Sequence, residues 1–155
     1  MLRGRLIPGI GAKSATRRRG AAIVETAVVL PIFFLVVMGI IEFGRAFMVA
    51  QLVTNAARGG VRMAITGDAT NATVTQEIQD FLKASGKINA SDVKVSVTIT
   101  PYPGNPVPAG NDVANCTSRD LINVKVEVPF NKVSFLPPTY LKSTVLNAQA
   151  AMRFE

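Results

Sequence analysis

An α+β fold is what this sequence predicts. A long N-terminal helix, its first half able to cross a membrane, packs on a small antiparallel sheet of about three strands, with a second short helix. Three observations lead there. Residues 21–41 are almost wholly apolar and carry a single charge, Glu25. Apolar residues then recur at three- and four-residue steps as far as Ala64, the period of a helix. Three later stretches alternate apolar and polar residues, the period of a half-buried strand.

The apolar run comes first. Its 21 residues span about 31 Å as a helix, close to the hydrocarbon thickness of a bilayer. Pro31 falls inside it and predicts a kink, because proline removes one hydrogen bond and crowds the preceding turn. Membrane helices tolerate such a break better than soluble ones. Arg17, Arg18 and Arg19 stand just before the run. Positive flanks stay cytoplasmic, which places the C-terminal part on the far side of the membrane. A basic segment followed by an apolar one also fits a cleaved secretory signal. Against that reading, no small-x-small cleavage site follows the run, and helical patterning continues past it.

The continuation covers 42–66. Phe43, Phe47, Ala50, Thr54, Ala57, Val61 and Ala64 form a mostly apolar stripe, expected to be the buried one. Asn55, Arg58 and Arg62 share another face. Gly59 and Gly60 weaken the helix by roughly 1 kcal/mol each, and Gly67 with Asp68 marks its end. Glu42 and Arg45 are three residues apart and are expected to pair on the helix surface, for a few tenths of a kcal/mol. Glu42, Arg45, Arg58 and Arg62 read either as solvated charges or, more sharply, as subunit contacts.

Residues 67–155 form a small α/β domain. A second helix is expected over 73–85, with Thr73 and Gln76 as a capping box. Val74, Ile78, Phe81 and Leu82 are its buried face, and Gly86 is its stop. Val93, Val95, Val97 and Ile99 alternate with polar residues in a first strand. Ile122, Val124, Val126, Val128 and Phe130 do so in a second, where Pro129 marks a strand end or an edge. Leu146, Ala148, Ala150, Met152 and Phe154 do so in a third. One apolar face per strand implies a sheet covered on one side, with the long helix as cover. Residues 101–118 hold four prolines and two glycines. A loop of that length is often functional. It reads equally as a contact surface, a variable surface or a disordered stretch.

The net charge is +7, but its distribution argues against nucleic acid. Six basic residues and no acid lie in residues 1–20, which leaves 11 basic and 10 acidic residues elsewhere. The basicity belongs to the N-terminal segment and not to a binding face. The lone Cys116 excludes an intrachain disulfide. Histidine is absent, which removes the commonest general base and metal ligand. No phosphate loop, metal-ligand cluster or activated nucleophile is visible. The expectation is a non-enzyme with no cofactor.

Glu25 is the residue that needs explaining. If the chain is cut after Gly20, Ala21 becomes a charged terminal amine and Glu25 the fifth residue. In a bundle of parallel helices the Glu25 carboxylate of one copy meets that amine on a neighbour. A paired carboxylate is tolerable in lipid where a lone one is expensive. The alternative is a glutamate snorkelling at the membrane face.

The stretch RRRGAAIVETAVVLPIFFLVVMGIIEFGRAF resembles the N-terminal segment of TadE-like pseudopilins, of the tight-adherence branch of type IV pilus systems. The matching features are Gly20, Glu25, the VLP at 29–31 and GIIEFGR at 39–45. The AQAAMRFE at 148–155 is similar to that family's closing strand. The resemblance implies a pilin-like fold. It also implies a bacterial inner-membrane protein whose leader, 1–20, is removed by a prepilin peptidase at Gly20–Ala21. Its implied partners are other pilins, the peptidase, the inner-membrane assembly platform and the lipid bilayer. Thr26, where the major pilins of that branch usually carry tyrosine, implies a minor subunit. The rival readings are a membrane-tethered binding module that never polymerises and a secreted soluble domain.

Overall fold

The computed structural model describes residues 12–155, with side chains from Gly20 onward. Its contacts divide the chain into two compact units that meet at Ile40 and Ile41. Helix α1, Ala12–Ala64, belongs to both.

In the first unit, everything described is α1. Its apolar side chains lie on the surface: Ile23, Val28, Ile32, Phe33 and Leu35 are all more than half exposed. That is unfavourable in water and natural in lipid, where no hydrophobic term drives them inward. The helix runs unbroken through Pro31. Since Pro31 has no N–H, the Ala27 carbonyl lacks its usual intrahelical donor.

The second unit holds the rest of α1, helix α2 (Asn71–Gly86) and the strands β1 (Lys94–Thr100), β2 (Leu121–Pro129) and β3 (Val145–Arg153). The sheet is antiparallel in the order β1-β2-β3. Register pairs Val97 with Val124 and Val124 with Ala150, so the apolar sets share one face. On the other face Lys94 and Lys125 lie within ion-pairing reach of Glu127. The α+β class, the long helix, the short helix and the three-stranded antiparallel sheet are therefore as the sequence predicts.

One core joins the two helices to the sheet. Val49, Val53, Ala57 and Val61 of α1 meet Val74, Ile78 and Leu82 of α2 and the inward residues of β2. Ile122, Val124, Val126, Val128 and Phe130 are fully buried. The cover is thus shared by both helices rather than supplied by α1 alone. The outer strands are less covered: Val95, Val97, Leu146, Ala148 and Ala150 are half-buried, and Met152 is exposed.

The expected stripe on α1 needs correction in its first half. Ala46, Val49, Val53 and Ala56 are buried there, whereas Phe43 and Phe47 are 44% and 70% exposed. A stripe drawn at strict seven-residue repeats drifts around a 3.6-residue helix, and here it drifts onto an adjoining face. Ala57, Val61 and Ala64 are buried as expected. Gly60 explains the glycine pair. A Cβ there would stand 2.5 Å from Ile78 Cδ1, while one on Gly59 would meet nothing within 4 Å. Gly60 lets α1 and α2 touch, and Gly59 has no part in that contact.

Helix α2 begins two residues before the expected start. Thr70 caps it, accepting from Thr73 N–H while the Thr73 hydroxyl accepts from Thr70 N–H. The capping pair is Thr70–Thr73, not Thr73–Gln76. Phe81 is exposed, against expectation. Gly86 is the last helical residue, and Lys87 turns the chain at φ 53°. Pro129 ends β2, which is the central strand and not an edge.

Candidate functional site

The functional residues expected from the sequence fall on α1, and they divide between the two units. Gly20 and Ala21 are helical, and a Cβ on Gly20 would meet nothing within 4 Å. The side chains of Arg17, Arg18 and Arg19 lie outside the described ones, as does most of the leader. Glu25 is exposed on α1. Beside it Thr26, Val29, Leu30 and Phe33 line a shallow hollow of about 330 Å³. Thr26 returns its hydroxyl to the Ala22 carbonyl at 2.8 Å. Its hydrogen bond is thereby satisfied within the helix, which makes the residue compatible with lipid. Among the described residues the Glu25 carboxylate makes no hydrogen bond or ion pair, and the Val29, Leu30 and Phe33 side chains beside it are apolar.

In the second unit the expected Glu42–Arg45 surface pair does not form. The Glu42 carboxylate instead accepts three successive backbone N–H groups, from Thr139 at 3.1 Å, Tyr140 at 2.9 Å and Leu141 at 2.6 Å. Arg45 is nearly buried. Its Nε donates to the Val133 carbonyl at 2.9 Å and an Nη to the Gly86 carbonyl at 3.2 Å. Its guanidinium also stacks 4.3 Å over the Phe135 ring. The reason is one of reach and competition. An exposed helical ion pair is worth little, whereas unpaired backbone donors and helix-end carbonyls need partners. Glu42 and Arg45 together latch the 133–141 segment to α1. Arg58 and Arg62 remain exposed, and among the described residues neither takes part in an ion pair.

The loop 101–118 has structure of its own. It carries short 3-10 turns at Ala109–Asn111 and Val113–Asn115 and buries Val113. Asp120 organises it. The carboxylate is fully buried and accepts from Tyr102 N–H, the Asn105 amide, Thr117 N–H and the Thr117 hydroxyl. Burial alone would raise its pKa. Those donors outweigh burial and hold it at about 2. Asn111, in the left-handed region at φ 52°, accepts from Ile99 N–H and donates to the Val97 carbonyl. It thereby occupies part of the outer edge of β1, as edge strands require. Sequence reasoning singled out neither Asp120 nor Asn111. The one available hint was Thr117 three residues before Asp120, a spacing that suits a local side-chain turn.

Among the described residues no group of three His, Cys, Asp or Glu side chains could hold a metal ion. Cys116 is a free, half-buried thiol. Burial, and after it Asp120 and Asp112, push its pKa up, away from the reactive thiolate.

α1 from Gly20 onward is long and apolar enough to cross a membrane. Over residues 20–62 the chain matches the family model described as TadE-like protein. The match begins at Gly20 and covers the apolar run, Glu25, Glu42 and Arg45. No curated protein and no solved structure matches the chain.

Proposed function

We propose, from a chain that is TadE-like over residues 20–62, that this protein is a minor pilin or pseudopilin of a tight-adherence pilus or a related secretion apparatus. The single observation that carries the reading is where the family match falls. It opens on the glycine after three arginines and runs the length of the apolar helix. The matched family is one of pilus structural components, and structural work is what we assign here.

A membrane prepilin peptidase removes residues 1–20 between Gly20 and Ala21. That bond is helical here, and a protease needs it extended. Glycine lowers local helix stability by about 1 kcal/mol, which eases the unwinding. Residues 21–41 anchor the chain in the inner membrane, with the N-terminus cytoplasmic and the folded domain on the periplasmic side. In assembly the helices of several pilins gather, and Glu25 of one pairs with the Ala21 amine of another. Loosening at Pro31, where the ladder already lacks a donor, lets the helix bend into the bundle. The partners are other pilins, the peptidase, the assembly platform and the bilayer, with Arg58 and Arg62 exposed for a subunit contact.

Intact mass of the mature chain tests this. We expect a start at Ala21. An uncut chain supports the tethered, non-polymerising module, and a start beyond residue 45 supports a secreted domain. Either result removes the pilin reading. The secreted reading already meets a difficulty, since such a cut would discard Glu42 and Arg45, which hold 133–141 in place.

A further inference from the structure

We infer that the segment 133–142, latched to α1 by Glu42 and Arg45, is a second membrane contact: a platform that rests on the lipid headgroups where α1 leaves the bilayer. The inference rests on the anchored reading of residues 21–41.

Three observations carry it. The first is an exposed aromatic and apolar cluster. Phe43, Phe47 and Met48 of α1 are exposed, as are Phe135 at 72%, Leu136 and Tyr140 of the segment. They fall into two adjoining pairs: Phe43 stacks on Tyr140 with ring centroids 6.3 Å apart, and Met48 and Phe135 line one notch, with Arg45 over the Phe135 ring. Phe47 follows Phe43 by four residues and shares its helix face. Grouped exposed apolar surface marks a contact site where single exposed residues do not.

The second observation is position. The apolar run ends at Ile41 in the sequence. Along the same helix, Phe43 lies about 3 Å and Phe47 about 9 Å beyond that point. The headgroup layer is about 5–8 Å deep on each side of the hydrocarbon, so Phe43, with Tyr140 stacked on it, falls within it and Phe47 stands at its outer edge. Aromatic rings concentrate at that level, and amphipathic surfaces insert about 5–10 Å there.

The third observation is charge. Beside Phe135 opens a notch of about 410 Å³ lined by Arg45, Met48, Lys87, Lys132, Ser134 and Phe135, and no acidic side chain lines it. Lys87 and Lys132 are exposed. Arg45 is committed to the carbonyls of Val133 and Gly86 and so offsets the negative end of α2. The two lysines are left to meet phosphate. Basic residues beside an apolar face are what an anionic lipid surface attracts.

The chain contains no tryptophan, so single-tryptophan variants report depth without background. The full-length protein is reconstituted in phosphatidylcholine/phosphatidylglycerol vesicles carrying lipids brominated near the headgroup end of the acyl chain. Phe135→Trp is the probe, Phe33→Trp the control in the span, and Val107→Trp the control in the 101–118 loop, where Val107 is 80% exposed. That loop contacts the start of α2 through Asn71, the end of the helix away from Gly86. We expect at least twofold stronger quenching of Phe135→Trp than of Val107→Trp, with a blue-shifted emission. Equal quenching of the two, with Phe33→Trp quenched, overturns the platform and leaves the anchor standing. A blue shift without bromolipid quenching shows the ring covered by protein, for instance a second copy, and also overturns it. An unquenched Phe33→Trp overturns the anchored reading and the platform with it. The lysines are tested by Lys87→Gln/Lys132→Gln in the Phe135→Trp background. Quenching should fall to its level in phosphatidylcholine alone, and unchanged quenching removes the notch from the contact.

Discussion

At Asp120 a charge is kept where water does not reach, and what keeps it is a set of donors that only a folded loop can bring together. The residues 101–120 are rich in proline and glycine, and such a chain has few backbone partners of its own. One carboxylate supplies four acceptor contacts at once. Asp120→Asn keeps the shape but sets an amide N–H₂ against donors. We expect it to destabilise the second unit by about 2 kcal/mol, read from urea unfolding. The pH dependence follows from the lowered pKa. The contribution is complete above the ordinary value of 3.8 and is lost as pH falls to about 2, because the unfolded chain takes up the proton first. Between pH 5 and 2 the wild-type urea midpoint should fall more steeply than that of Asp120→Asn. Glu42 teaches the same lesson on the helix. Its spacing from Arg45 suggested a local pair, yet three amides almost a hundred residues further along the chain had the stronger need.

Among the elements, α1 and α2 show how one glycine pair divides its work. Ile78 fills the space a side chain on Gly60 would need, while Gly59 faces nothing. Gly60→Ala gains about 1 kcal/mol of helix propensity and loses about 1–3 kcal/mol to overpacking. A net loss of about 1 kcal/mol is expected. Gly59→Ala keeps the propensity gain alone, up to about 1 kcal/mol. Urea midpoints should rank Gly59→Ala above wild type and wild type above Gly60→Ala, and the reverse order would refute the packing argument. The strands were legible because alternation is a local signal, and β2 obeys it along its whole length. The buried stripe of α1 was legible only in its second half. Apolar periodicity marks which residues can be buried, and the partner decides which of two adjoining faces is.

In the whole molecule, one helix serves a lipid-compatible segment and a folded domain. Glu25 is the group through which we propose that one copy senses another. Glu25→Ala should be cleaved and inserted as usual, yet fail to co-assemble with other pilins, as measured by pulling down partner subunits from detergent-solubilised membranes and by counting pili. Normal pili at normal levels would end the amine-pairing idea. Much was settled by sequence alone: the α+β class, the apolar span, the three strands and the TadE-like segment are all carried by composition, by periodicity or by a contiguous run of residues. Those are properties of neighbours along the chain. The tertiary structure alone decided which face of α1 is buried, why Gly60 is a glycine, how Asn111 closes part of the β1 edge, and that Glu42 and Arg45 hold a segment nearly a hundred residues away. Hydrogen-bond donors and apolar surfaces take whichever partner best satisfies them in space, and that partner leaves no mark in the local sequence.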